Sequence, residues 1–449
     1  MKNLFLFFTL IIIVGGCQKT PEITNKEANR SETTGTHTIP IESALSSLDA
    51  FLGDQGAIKT KGADYISNYF TVSGYSKTTK SELNDTPVIY AVNFQDSSGY
   101  ALLAADDRIP EDIIAVTEGG SISEEDFIFT GENLVPTEND DLTVEEYRVM
   151  VDSGVLASPE SPINQLCLAY AVDYIIDDDG NIINGQGGGG TSDPETFHWE
   201  VKDSLQRMIN TVWTQEDDSC IFNKYMPEVG IIWKSKAPAG CVCIALAQIM
   251  AYHEFPQSLI ISDVNIDYNE IKQIYSYSGR YFDGSELGKE MLARYIYLVG
   301  RECDTKYHSI FGKAWGFAWP WDAKDCMETF WYENVNLNLG YQENTVLQSL
   351  EEGCPVFISA IAGAISGHAW VIDGYIRREQ VSDSDPEHII NHQTLVHCNW
   401  GWHGICNGFF TSGIFKTREE FSYDFPEYND ENENYWYGFN TITYDNPNL

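Results

Sequence analysis

The apolar positions divide the chain into a mixed N-terminal stretch, a mainly helical middle and a strand-like end. Ala44, Leu45, Leu48, Phe51 and Leu52 recur at roughly helical spacing and predict a helix over 41–56. Pro87–Phe94 and Tyr100–Ala105 are apolar runs on either side of Ser97-Ser98-Gly99, which predicts a hairpin, and Ile113–Val116 is a further short strand. Helices are predicted over 145–155, 161–176 and 198–210. Cys241–Met250 is apolar on every face, so it predicts a buried helix that starts at Cys241, after the breakers Pro238 and Gly240. Amphipathic helices follow over 287–300 and 344–352, each closed by glycine. From Cys354 the runs 355–361, 369–376, 394–400, 408–415 and 435–444 are strand-like, with polar excursions over 377–393 and 419–434. Helices followed by strands indicate an α+β architecture.

One stretch belongs to no element. Asp177-Asp178-Asp179-Gly180 and then Gln186–Gly190 cannot hold regular structure and read as a linker open to proteolysis. The start of the chain is different again. Lys2, the apolar run Leu4–Val14 and the small residues before Cys17 have the form of an export signal, and the run is too short to span a bilayer. It resembles a bacterial lipoprotein signal whose lipidated residue is Cys17. The polar residues from there to about Pro40 read as a tether.

Composition narrows the partners. A formal net charge of −40 over 449 residues disfavours nucleic acid and anionic lipid, leaving a lipid group on Cys17 as the expected membrane contact. The ten cysteines show no paired CxxC spacing, so the pattern indicates neither a zinc site nor a disulfide scaffold, and no cofactor is implied.

The candidate chemistry lies in three places. Cys241 opens its helix, where free N–H groups and the helix dipole favour a thiolate. His368 stands at the mouth of a strand-like run, in Ser366-Gly367-His368-Ala369-Trp370. Asn399-Trp400-Gly401-Trp402 ends the next strand. A thiol, then a histidine, then a residue able to orient the histidine is the order required for an activated cysteine nucleophile.

These motifs resemble the streptopain family of bacterial papain-like cysteine peptidases. The likeness runs from Gly240-Cys241-Val242 with Ala247–Met250 and Tyr252-His253, through Gly367-His368-Ala369 with Val371–Gly374, to Asn399–Trp402 with Gly404 and Gly408–Phe410. Trp213 and Gln215 resemble an early element that carries an oxyanion glutamine. The hairpin ending in Ala104–Arg108 resembles an inhibitory prodomain. The resemblance implies a papain-like catalytic domain, with a helical part and an antiparallel β part, preceded by a small α+β prodomain. It implies an exported, lipid-anchored zymogen with protein or peptide substrates, whose own prodomain is its inhibitor. Within it, Cys241 and His368 are catalytic, Gln215 supports the oxyanion, and Asn399 or Trp400, with Trp402, orients the histidine. The implied domains are 1–17 signal, 18–40 tether, 41–184 prodomain, 185–197 linker and activation site, and 198–449 peptidase. Two departures bear on it: Cys243 stands where a small residue is expected, and the Trp-rich segment 315–321 replaces a Gly/Ser-rich one. An inactive surface-binding or inhibitor protein, and an amidase or acyltransferase on the same Cys–His pair, are the alternative readings.

Overall fold

A computed structural model describes residues 37–55, 65–73, 86–127, 162–175, 196–215, 221–276, 284–310, 313–362, 366–415 and 438–449. Cys17, the expected helix over 145–155, the Gly-rich linker and the acidic excursion over 419–434 lie outside these residues. The N-terminal region supplies α1 (Ile41–Gln55), β1 (Ile66–Ser73), β2 (Pro87–Phe94), β3 (Tyr100–Ala104), β4 (Ile113–Thr117) and α2 (Pro162–Asp173). Next come β5 (Phe197–Leu205), the short hairpin β6–β7 (Glu228–Val229, Ser235–Lys236) and α3 (Cys241–His253). A second short hairpin, β8–β9 (Ile260–Ile261, Val264–Asn265), leads to α4 (Tyr268–Lys272) and α5 (Glu286–Glu302). The hairpin β10–β11 (Lys306–Ile310, Lys313–Phe317) precedes α6 (Pro320–Thr329). The C-terminal part holds β12 (Asn336–Leu339), α7 (Glu343–Glu351), β13 (Val356–Ala362), β14 (Ser366–Ser382), β15 (Ile389–Asn399), β16 (Gly408–Thr411) and β17 (Gly438–Thr443). The α+β class read from the sequence holds.

One antiparallel sheet organises the described chain, in the order β1-β2-β3-β4-β16-β15-β14-β13-β17-β12. Strand β14 is long enough to take β13 along Ser366–Ile372 and β5 along Tyr375–Ser382 on the same edge. The N-terminal strands join the sheet where β4 pairs with β16, Thr117 opposite Gly408 and Ala115 opposite Phe410. Gly408 is required there for space, because a Cβ would stand 2.2 Å from the Val116 carbonyl oxygen.

The apolar faces form three cores. The first surrounds α3 and draws only on residues from 209 onward, among them Trp213, Tyr295, Met327, Phe357, Ala369 and Val371. The second and third are shared. Ile163, Leu166 and Ala171 of α2 lie in one core with Trp370, Trp400 and Phe410, and Leu48 and Phe51 of α1 lie in another with Ile376, Leu395 and Phe409. Buried Arg378 ties the two regions together. Its guanidinium bonds Asp112 and, at 2.7 Å, Gln393, and it lies over the rings of Trp199 and Phe51.

Three expectations change. Residues 197–205 form a strand, not a helix, because Phe197, Trp199, Val201 and Leu205 alternate with polar residues and the edge of β14 is open to them. Most of the excursion over 377–393 is a two-stranded arm, since β14 runs on to Ser382 and β15 starts at Ile389. The strand expected over 408–415 stops at Thr411 and turns into a 3₁₀ segment.

Candidate active site

Cys241 is the first residue of α3, and Gly240 before it adopts φ +90°, a conformation that favours glycine. A Cβ at Gly240 would also stand 2.8 Å from the carbonyl oxygen of Gly316, so the β10–β11 hairpin lies directly against the residue before Cys241. The rest of α3 is buried almost throughout. It packs by small side chains such as Ala245, Ala247 and Ala251, which fixes the position of its first turn.

The thiol faces the backbone N–H groups of Ala369, Val242 and Cys241 itself, all of which favour the thiolate. Burial acts in the opposite sense and is the larger effect, so the thiol is raised above its ordinary value. Ala369 is the residue after His368, so the Cys241 thiol lies at the start of β14, one residue along the chain from the histidine. Among the described residues, no hydrogen bond joins the thiol to the imidazole in this form of the chain.

His368 is half-buried in an indole stack, with its ring 4.6 Å from Trp402, 6.0 Å from Trp370 and 6.3 Å from Trp400. Its Nε2 lies 2.8 Å from the carbonyl oxygen of Trp400. A carbonyl oxygen only accepts, so Nε2 carries the hydrogen and Nδ1 keeps its lone pair. Burial holds the imidazole down to about 4, opposed by that carbonyl.

The third motif separates into distinct roles. The Asn399 side chain does not hold His368. Its amide donates 2.8 Å to the carbonyl of Thr211 and its oxygen accepts from the N–H of Gly401, with Gln248 beside it. Trp400 meets the histidine through its backbone carbonyl, and Trp402 through its ring face. Gln215 is half-buried, and its carbonyl accepts from the N–H of Ala239 at 2.7 Å, two residues before Cys241. Thr214 bridges to Trp402, so the segment carrying Gln215 is pinned on both sides of the site.

The sequence reading did not select a charged set behind the histidine. His397 Nδ1 lies 2.5 Å from Asp373, both fully buried, and its Nε2 is 3.9 Å from Glu118 of the N-terminal region. Glu118 also pairs with Arg207 at 2.6 Å. Asp373 and Glu118 hold His397 up to about 9 against burial. The available signal was an ionisable residue inside each of two apolar runs, Val371–Gly374 and Leu395–Asn399. Beyond Glu118, the N-terminal region grips the loop after Trp402. The N–H of Glu118 donates to the carbonyl of Asn407, and the N–H of Cys406 to that of Gly119. Elsewhere among the described residues, the ligand-type side chains that gather are His37, Asp106 and Asp107, where Arg108 already engages both oxygens of Asp106.

A cysteine at the first position of a buried helix, beside the start of a strand that carries a histidine, is an arrangement able to activate a thiol. Residues 213–410 match the family described as Peptidase C10, and through this stretch the chain is similar to streptopain-type proteins. Streptopain of Streptococcus pyogenes serotype M28 is 27% identical over 202 residues, and that of serotype M1 is 28% identical. Each match covers 39% of this chain and 45% of the relative, so the chain spans less than half the length of the curated relatives it matches. Among solved structures, a Prevotella intermedia prointerpain A fragment is similar with a TM-score of 0.45 at 16% identity, covering 78% of this chain and 93% of that one. The active interpain A cysteine protease of the same organism gives a TM-score of 0.37 at 18% identity, covering 53% and 94%.

Proposed function

We propose that the chain is the precursor of a cysteine endopeptidase in which Cys241 attacks a peptide carbonyl and His368 moves the proton. The observation that carries this is the placement of the Cys241 thiol on the N–H of Ala369, next to a histidine whose Nε2 is committed to the Trp400 carbonyl. That leaves Nδ1 as the only ring nitrogen able to take the thiol proton. Burial disfavours a lone thiolate or a lone imidazolium. Formed side by side, the two charges offset that cost, because their attraction grows in the same low dielectric. The oxyanion of the tetrahedral intermediate sits at the N–H of Cys241 with the Gln215 amide as second donor. His368 then protonates the leaving amine, and water hydrolyses the thioester. The substrates are proteins or peptides.

In this reading the N-terminal region is an inhibitory prodomain, held by Arg378–Asp112, by Glu118 and by the β4–β16 pairing. Cutting within about 184–199 releases the peptidase, and an export signal ending at the lipidated Cys17 leaves the tether on the other fragment. The test is to incubate the wild-type precursor beside Cys241→Ala and His368→Ala copies, following gel mobility, N-terminal sequence and hydrolysis of a denatured protein. Wild type is expected to shorten near the linker and gain activity. Both variants are expected to stay intact and to lose hydrolysis by about 10³-fold or more, because a nucleophile and its base act as one unit. An active, uncut Cys241→Ala protein overturns the proposal.

A further inference from the structure

Three buried thiols converge where α3, α5 and α6 meet. Cys303 caps the C-terminal end of α5 and Cys326 lies in α6, both fully buried, and their sulfurs are 3.1 Å apart. That is closer than the roughly 3.5–4.0 Å at which even carbon atoms rest in contact. Cys243 of α3 points elsewhere, donating to the carbonyl of Ile296 at 3.3 Å and packing on Gly300. Of the three, Cys303 and Cys326 are therefore the pair placed for bonding.

We propose that Cys303 and Cys326 are a disulfide-forming pair that cross-links α5 to α6 when the protein meets an oxidising thiol environment. The reaction is exchange with a small-molecule disulfide. One cysteine, as its thiolate, attacks a sulfur of the reagent and expels the first reagent thiolate. The second cysteine then attacks the mixed disulfide and expels the other. The pair loses two electrons and two protons, and the reagent is reduced to two thiols. Burial raises the Cys303 thiol as it stands, and both sulfurs are shut off from solvent, so exchange belongs to folding or to transient opening of α6 rather than to the closed form.

The bond would close the segment 304–325, which carries β10–β11 and the Trp-rich stretch, and Gly316 of this segment lies against Gly240. Both ends of the segment beside the nucleophile would then be fixed. This inference is independent of the peptidase reading, and its test is run without activity.

The full-length Cys241→Ala chain is equilibrated with oxidised and reduced glutathione, quenched in acid, alkylated under denaturing conditions and mapped by peptide mass. The expected result is one dominant peptide pair joining Cys303 to Cys326. In a Cys326→Ser or Cys326→Ala chain that pair disappears and Cys303 becomes alkylated. A midpoint temperature about 5–10 °C higher for the oxidised than for the reduced parent is also expected, from closure of a loop of this size in a domain of this length. Full alkylation of both cysteines after oxidation, or bonding of either to Cys243 instead, overturns the proposal.

Discussion

The nucleophile and the histidine rest on different foundations. Cys241 begins a helix whose core comes wholly from residues 209 onward, so what packs around it belongs to the part of the chain after the N-terminal region. His368 leans on Trp370, Trp400 and Trp402, and the core beneath these rings is completed by α2 and by strands of the N-terminal region. The loop after Trp402 is also bonded to residues 118–119. The N-terminal region can therefore act on the histidine half of the site while leaving the thiol half in place. The same contrast makes the N-terminal region a partner in folding, since its removal uncovers apolar surface on β14–β16.

Substitutions can break this contrast, and the largest expected effect lies in the shared half. Arg378 is buried between Asp112, Gln393, Phe51 and Trp199. Arg378→Ala should destabilise the precursor by about 3–5 kcal/mol, the cost of leaving a buried partner uncompensated. Urea denaturation of a Cys241→Ala background measures it, and a change below about 1 kcal/mol would remove Arg378 as the tie between the regions.

Asn399 and Trp402 sharpen the comparison, because they are three residues apart and hold different things. Asn399→Ala strips donors and acceptors from Thr211, Gln248 and Gly401 and should cost about 1–3 kcal/mol of stability. Trp402→Ala removes the ring face from His368 and should lower kcat up to about tenfold, with little change in KM, from a stacking energy of about 0.5–1.5 kcal/mol. A loss confined to KM would make Trp402 a substrate-contacting wall instead of a support for the base.

The smallest effect is one of pH. His397 is raised to about 9 by Asp373 and Glu118. The stability from its charge is fully present below its unfolded value of about 6.5 and is lost as pH rises through about 9. The hold of the N-terminal region should weaken over that window. In Glu118→Gln the weakening should be smaller and shifted to lower pH. Trans-inhibition titrations of the mature enzyme by the separate N-terminal region, made from pH 6 to 10, would show it. A flat profile would sever His397 from the interface.

Much of this was legible in the sequence where one face of one element carried the signal. The helix at Cys241 follows from a breaker and an unbroken apolar run, and the β2–β3 hairpin from its turn residues. The strand β5 was misread because its two polar residues at 203–204 blurred a period of two that Phe197, Trp199 and Val201 set. The arm of β14 was misread because Arg378 and Gln393 look like loop residues until Asp112, 266 positions away from Arg378, meets the first and the carbonyl of Ile113 meets the second. Asn399 and Trp400 could not be told apart by spacing, because what meets the histidine is a backbone carbonyl, which every residue has. The charge set around His397 joins four segments and has no local pattern.

The most direct test of the contrast is hydrogen exchange along the backbone of Cys241→Ala protein, before and after a protease cut in the 185–197 linker and removal of the N-terminal fragment. The expected result is unchanged protection of α3 over 241–253, with clear loss of protection in β15, in β16 and in the loop over 403–407. Equal loosening of α3 and β16, or no change in either, would contradict the account that the nucleophile stands on its own core while the histidine's support is shared.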